Sequence, residues 1–396
     1  MMKAGHRFFS VWRFAIILLV VSNLVWGAQA KRRRHVVHHA VGHAAAARRV
    51  VAGPGAAAPL IHRAVYVPRG PVVRGGPWTE PTYADSTLGD KPDGEDLDVR
   101  RAAVEALGPY NGSVVVVDPA TGRILSIVNQ KLALGSGFQP CSTIKVSVAL
   151  AALSEKVVGH DGKLWRRGYN LTQALAHSNN YYFATLGMKL GFDKVSHYAH
   201  LFGYGEKAGL NIPGESAGHF PDAPPRNGGV GMLTSFGEEI AQTPLQLAAL
   251  MSALANGGTL YYLQYPRSAQ ELSSFTPRVK HQLEIQSLIP EIKPGMLAAV
   301  EYGTARRAQQ DAAIAGKTGT CTDSHTHLGW FGSFNDAGKN KLVVVVLLTG
   351  GRPAIGPMAA GVAGEVYRNL AQKNYFAADR PVAPATLIST QICCAQ

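Results

Sequence analysis

Three short segments carry side chains able to do acyl chemistry. In "PCSTIK" (Pro140–Lys145), Ser142 stands three residues before Lys145. A serine hydroxyl is a weak nucleophile at neutral pH and needs a neighbouring base. Residues i and i+3 share one face of a helix, so the spacing predicts that Ser142 and Lys145 meet within hydrogen-bond reach. Ser142 would sit at the opening of that helix, where the dipole and free N–H groups favour developing negative charge. A lysine acts as a base only when burial or a second cation lowers its pKa. Lys317 is the expected second cation. Taken alone, S-x-x-K is a weak signal, and Ser142 reads equally well as an N-cap. Two further segments change its weight. "SNN" (Ser178–Asn180) lies between two helical stretches, where a loop can point into a cleft. "KTGT" (Lys317–Thr320) ends a β run and is followed by "GWFGSF".

The elements around these segments can be read from pattern. "DLDVRRAAVEALGP" has apolar residues at helical spacing and stops at Gly-Pro. "GSVVVVDPATGRILSIVN" is two β runs about a turn, and "STIKVSVALAALSEKVVG" is one long helix beginning at Ser142. "LTQALAHSNNYYFATLGMKLG" reads as helix, polar break, helix; "TPLQLAALMSALANGG" is a helix closed by Gly257 and Gly258. "AIAGKTGTCT", "HLGWFGSFN" and "KLVVVVLLTGG" read as strands, and "AAGVAGEVYRNLAQ" as a last helix. This order predicts an α+β body, with an antiparallel sheet covered by helices and a helical lobe beside it.

Charge divides the chain. The formal net charge is +13, yet residues 1–79 hold twelve Lys or Arg and no acid, leaving +1 for residues 80–396. A nucleic-acid partner needs a basic folded face, and the body offers none. Lys3, Arg7 and Arg13 precede the apolar run Phe14–Gly27, and "AQA" (Ala28–Ala30) fits a small-x-small cleavage site. The run is short for a span of about 20 apolar residues. Residues 1–30 therefore read as a cleaved signal peptide or a membrane anchor, with "KRRR" just after the site keeping both open. Either places the body outside the cytoplasm. Residues 31–95, rich in Ala, Pro, Gly, His and Arg, read as a disordered basic linker, with its histidines part of that linker. Its positive charge suits contact with an anionic membrane surface or cell-wall polymer. The body is drawn at 96–375 and a tail at 376–396. No internal repeat is present. His325 and His327 in "HTH" have neither a third ligand nor an H-E-x-x-H helix, so no metal and no cofactor is expected.

S-x-x-K, S-x-N and K-T-G in this order form the motif set of serine penicilloyl enzymes. Across roughly Asp96 to Gln372 the chain resembles the transpeptidase domain of penicillin-binding proteins. "GSVVVVDPATGRILSIV", "GEKAGLNIPGE", "SFGEEIAQTPLQLAALMSALANGG" and "GMLAAVEYGTARRA" resemble further segments of that family. The resemblance implies that Ser142 attacks the carbonyl of a D-alanyl-D-alanine stem peptide or a β-lactam ring, and that Lys145 takes its proton. It implies that Ser178 relays a proton to the leaving amine, Asn180 binds the substrate amide, and Lys317 sets the field. Thr318, Gly319 and Thr320 would form the substrate-binding edge, and the N–H groups of Ser142 and Thr320 the oxyanion hole. Neither the glycosyltransferase domain nor the pedestal of larger relatives fits residues 31–95. Oligomeric state stays open.

Two other readings share the motifs. A serine β-lactamase needs a deacylating group, and Glu215 in "IPGESAG" is the candidate, against a structural role in a segment that transpeptidases also have. A β-lactam sensor would hold the acyl-enzyme without turnover. Glu238 and Glu239 read as solvated or helix-start charges. Cys141 precedes Ser142 and Cys321 follows the K-T-G-T run, while Cys393 and Cys394 stand near the end. Carbapenem-hydrolysing class A β-lactamases carry bonded cysteines at similar places. That resemblance implies a Cys141–Cys321 disulfide; the alternative is two buried thiols.

Overall fold

The computed structural model describes residues 78–376, apart from 160–161, 165–167, 324 and 337–339. The leader at 1–30, residues 31–77 of the linker, and Cys393 and Cys394 lie outside the described residues. Among the described residues no helix is long and apolar enough to cross a membrane.

Five antiparallel strands form the frame. β1 (Gly112–Asp118) and β2 (Arg123–Val128) are the early hairpin; β5 (Ile314–Thr322), β6 (His327–Asn335) and β7 (Val343–Gly350) come late in the chain. The sheet order is β2-β1-β7-β6-β5, so the strand bearing Lys317–Thr320 is an edge. Its free edge faces the helical lobe that carries Ser142 and Ser178. The valine runs of β1 and β7 are buried on both faces. Val115, Val117, Val343, Val345 and Leu347 join the core toward the helical lobe. Their alternates Val114, Val116, Val344, Val346 and Leu348 join the core under α1 (Leu97–Leu107) and α11 (Gly356–Gln372). Period-2 alternation thus feeds two cores from one strand.

The lobe is built from α2 (Gln130–Leu134), α3 (Ile144–Ser154), α4 (Leu171–Ala176), α5 (Asn180–Leu190), α6 (Phe192–Leu201), α7 (Gly229–Phe236), α8 (Pro244–Asn256), α9 (Ala269–Ser273) and α10 (Ile289–Glu301). A two-stranded ribbon, β3 (Thr259–Tyr261) with β4 (Val279–Gln282), lies beside it. Helix α8 is central, with all but its last residue buried. It starts with a capping box, in which Thr243 and Gln246 each bond the other's backbone. The Gln246 side chain also donates to Glu206 O and Ala217 O, both at 2.7 Å, tying loop segments to the helix.

The expected α+β arrangement is present; two details differ. The long helix expected from Ser142 is a 3-10 turn, Cys141–Thr143, followed by α3 from Ile144 to Ser154. Pro140 before it provides no side-chain cap. The boundary drawn at Asp96 is also too late, because residues 78–95 pack on the body. Ala84 N donates to Pro109 O (3.0 Å), Asn111 N to Thr82 O (2.9 Å) and Gly351 N to Thr82 Oγ1 (2.8 Å). Glu95 is 1% exposed. It accepts from Ile127 N, Ser126 Oγ and Tyr265 OH, and pairs with Arg100, which also pairs with Asp90 at 2.7 Å. Composition marked the stretch as breaker-rich, but its polar groups find partners across the sheet edge, which composition does not encode.

Candidate functional site

The turn that carries Ser142 is held by three neighbours. Cys141 takes a left-handed backbone, φ +52°, which is uncommon for a residue with a Cβ and costs on the order of 1–3 kcal/mol. Trp330 on β6 donates from Nε1 to Gln139 O at 2.9 Å. Gln139 Nε2 donates to Phe236 O (3.0 Å) and Glu238 Oε2 (3.2 Å), so Glu238 is a tie and not a free charge. Strand β5 comes against the turn at Gly319. A Cβ there would stand 2.8 Å from Pro140 O and 3.2 Å from Cys141 Cβ. Only glycine lets the strand approach this closely, which gives the third position of K-T-G its steric reason.

Cys141 and Cys321 form a disulfide with Cα atoms 5.5 Å apart across 180 residues. It welds β5 to the left-handed turn. A bridge closing so long a loop stabilises by about 3–5 kcal/mol in the chain-entropy model. Cys141→Ala/Cys321→Ala is therefore expected to lower Tm by on the order of 5–10 °C, and a reductant should lower wild-type Tm by a similar amount while leaving the variant unchanged. Equal melting of wild type and variant would show that the bond contributes nothing.

Ser142 is 8% exposed, and its hydroxyl makes no hydrogen bond among the described residues. The expected hydrogen bond between Ser142 and Lys145 is not formed among the described residues; the Lys145 amine bonds three other oxygens. Lys145 Nζ lies 2.8 Å from Ser178 O, 3.1 Å from Ser178 Oγ and 2.5 Å from Asn180 Oδ1. The 3-10 start of the segment sets Ser142 off the face that an unbroken α-helix would give it. Ser178 also has a left-handed backbone, φ +55°, which turns the loop between α4 and α5 back toward Lys145. Asn179 caps α5 through its side chain, and Ser235 Oγ on α7 donates to Asn180 O at 3.0 Å. With Asn180 Oδ1 on Lys145, its amide NH2 is the group left for a ligand.

Lys317 reaches the same hydroxyl from the sheet. Its Nζ lies 2.9 Å from Ser178 Oγ and 2.9 Å from Thr318 O. Both lysines are fully buried. Burial pushes the Lys145 ammonium down to about 6, with the Lys317 cation adding to it. Burial pushes Lys317 down to about 7. Burial thus lowers both lysines, Lys145 the further, so of the two Lys317 keeps its proton to the higher pH. A neutral Lys145 has two N–H donors for Ser178 O and Asn180 Oδ1, and a lone pair that can take a proton. The resulting chain, Lys317 to Ser178 Oγ to Lys145, runs beside a free serine hydroxyl. This arrangement can activate an alcohol and deliver its proton to a leaving group.

The edge of β5 completes the site. Thr320 Oγ1 accepts from Gly356 N, at the first turn of α11, at 2.8 Å. Thr318 Oγ1 lies 2.6 Å from Thr304 Oγ1. Thr304 was not singled out from sequence; the signal available was its place in "EYGTARRA", shortly before the K-T-G strand. Glu215, the deacylation candidate, has its carboxylate on the amides of Ala208 (2.8 Å) and Gly209 (2.9 Å), within its own loop. Burial pushes its pKa up, opposed by those two amides. His327 bonds Thr322 Oγ1 at 2.9 Å and packs on Trp78, with ring centroids 4.0 Å apart.

Comparison with known proteins agrees with this constellation. The family profile described as "Penicillin binding protein transpeptidase domain" matches residues 112–372. Stage V sporulation protein D of Bacillus subtilis is 30% identical over 311 residues, covering 67% of this chain and 48% of that protein. The peptidoglycan D,D-transpeptidase MrdA of Haemophilus influenzae is 24% identical, covering 67% of this chain and 54% of that one. The peptidoglycan D,D-transpeptidase PbpA of Mycobacterium tuberculosis is 25% identical, covering 72% and 73%. The chain thus spans about half the length of the first two relatives. A crystal structure of Pseudomonas aeruginosa PBP2 in complex with WCK 5153 shares the fold, with TM-score 0.60, 24% identity, and coverage of 74% of this chain and 78% of that one. With Lys145, Ser178, Asn180 and Lys317 joined by hydrogen bonds and the family profile spanning most of the body, the chain belongs to the penicillin-binding protein transpeptidase family.

Proposed function

We propose that this chain is a serine D,D-transpeptidase that acts on D-alanyl-D-alanine stem peptides of peptidoglycan and is acylated by penicillin. The observation that carries the reading is the hydrogen-bonded run from Lys317 through Ser178 Oγ to Lys145, beside an unbonded Ser142 hydroxyl. Relatives named as peptidoglycan D,D-transpeptidases support it.

Ser142 Oγ attacks the carbonyl of the penultimate D-alanine while neutral Lys145 accepts its proton. The amides of Ser142 and Thr320 stabilise the oxyanion, worth roughly 3–4 kcal/mol per donor. As the C–N bond breaks, the proton passes through Ser178 to the departing D-alanine amine. An acceptor amine then attacks the acyl-serine, a new amide bond forms, and Ser142 regains its proton. Asn180 holds the substrate amide through its NH2. The Lys317 cation, with the hydroxyls of Thr318 and Thr320, receives the terminal carboxylate. The body works outside the cytoplasm, carried there by residues 14–30, where the Cys141–Cys321 bond persists. The basic stretch that follows contacts an anionic surface, of membrane or cell wall.

The test is the lifetime of the adduct. Incubated with a fluorescent penicillin, the purified protein is expected to give a covalent label on Ser142 that outlasts removal of free penicillin by many minutes. Release of label within seconds would replace this reading by a β-lactamase. No label at all would remove the acyl-serine chemistry. Turnover of a D-alanyl-D-alanine peptide with an added amine separates a transpeptidase from a sensor that only holds the adduct.

A further inference from the structure

Two threonine hydroxyls face the carboxylate end of the proposed site, and each is backed differently. A hydroxyl has one proton and two lone pairs. It serves a carboxylate only as a donor, so a second donor must fill a lone pair from behind if the proton is to be held outward. For Thr320 that donor is the Gly356 amide, 2.8 Å away, at the N-terminal turn of α11. For Thr318, among the described residues, Thr304 stands in the corresponding place, Oγ1 to Oγ1 at 2.6 Å. Thr318 is 4% exposed, so its hydroxyl has little water to orient it.

The turn that presents Thr304 is built tightly. Thr304 N donates to Ala176 O at 3.1 Å, joining the end of α10 to the end of α4, two residues before Ser178. A Cβ at the preceding Gly303 would stand 2.2 Å from that same Ala176 oxygen. Ala305 N is bonded to Ala299 O at 2.8 Å. Glycine at 303 thus lets the chain pass against the S-x-N loop and delivers Thr304 to β5 with its backbone fixed.

We infer that Thr304 is a positioning residue for recognition of the substrate carboxylate: its hydroxyl donates to Thr318 Oγ1 and so commits the Thr318 proton to the carboxylate. The inference rests on the transpeptidase reading and deepens it. The reverse polarity would leave Thr318 presenting only lone pairs to a negative charge, so a bound carboxylate favours the Thr304-donor arrangement. Two backed hydroxyls and the Lys317 cation then discriminate a free carboxylate from an ester by charge and by donor count together.

The experiment compares acylation by benzylpenicillin and by its methyl ester. Thr304→Val keeps the shape and the backbone bond to Ala176 and removes the hydroxyl. It is expected to slow acylation by benzylpenicillin at sub-saturating concentration by about 10-fold or more, the usual weight of a hydrogen bond to a charged group. The slow reaction with the ester should stay within about 2-fold of wild type. Thr304→Ser should restore the benzylpenicillin rate, and Thr304→Val/Thr318→Val should be no slower than Thr318→Val alone. The loss should appear in the concentration for half-maximal rate and leave the limiting acylation rate. Equal loss on both compounds, no loss on either, or failure of serine to rescue would each overturn the inference while leaving the acyl-serine reading intact. A wild type acylated by neither compound would overturn both.

Discussion

Ser142→Ala is expected to abolish covalent labelling by penicillin completely and to leave the melting temperature within about 2 °C of wild type, since a serine-to-alanine change at a helix start costs about 1 kcal/mol or less. The small structural cost has a particular reason here. The Ser142 hydroxyl makes no hydrogen bond among the described residues, so its loss orphans nothing. The turn is held by other groups: the disulfide at Cys141, the Trp330 bond to Gln139 O, and Thr143 Oγ1 donating to Pro140 O at 2.7 Å. Thr143 is fully buried and cannot replace the nucleophile. Ser178 offers a second serine hydroxyl at the site, but two lysine amines already hold its oxygen. Ser178→Ala should therefore slow acylation without ending it, whereas Ser142→Ala ends it. Intact-mass measurement after penicillin treatment reads both outcomes. A penicilloyl adduct on the Ser142→Ala protein would move the nucleophile elsewhere.

How far the sequence carries depends on which kind of information each feature needs. The strands could be read because period-2 burial writes itself into composition: the valine runs of β1 and β7 are apolar on both faces, and the turn Asp118–Gly122 is locally encoded. Helix α8 announces both ends through Thr243, Pro244 and Gly257. The motif residues could be found because acyl chemistry restricts side-chain type and order. Three things could not be read. The 3-10 turn at Cys141–Thr143 depends on a left-handed Cys141, and nothing in "PCSTIK" demands positive φ; the contact with Gly319 on β5 and the bond to Cys321 impose it. The hydrogen-bond partners of Lys145 lie 33 and 35 residues away in sequence, and the i, i+3 rule, which is local, cannot name them. Residues 78–95 look like linker because their order comes from Arg100, Ser126, Tyr265 and other groups outside the stretch. Thr304 is the same case, since what marks it out is one contact across to β5.

Lys145→Met is expected to slow acylation by about 10²–10⁴-fold, the usual weight of a positioned general base, at every penicillin concentration and with the fold retained. The pH profile separates loss of a base from loss of packing. Burial and the Lys317 cation hold the Lys145 ammonium down at about 6, so the neutral base accumulates as pH rises through that value. Burial holds Lys317 at about 7; its amine bonds Ser178 Oγ, and in the proposed mechanism its cation draws the substrate carboxylate. Acylation of the wild type should therefore climb through pH about 6 and decline above about 7, giving a narrow bell. Both amines contact one hydroxyl, so the two limbs report the pair and not either lysine separately. Lys145→Met should remove the acid limb and leave the residual rate nearly flat below pH 7. Lys317→Met removes the positive charge that depresses Lys145, so its acid limb should move to higher pH while the alkaline limb disappears. A wild-type rate that stays level from pH 5.5 to 8.5, or an acid limb that survives in Lys145→Met, would take the role of base away from this lysine.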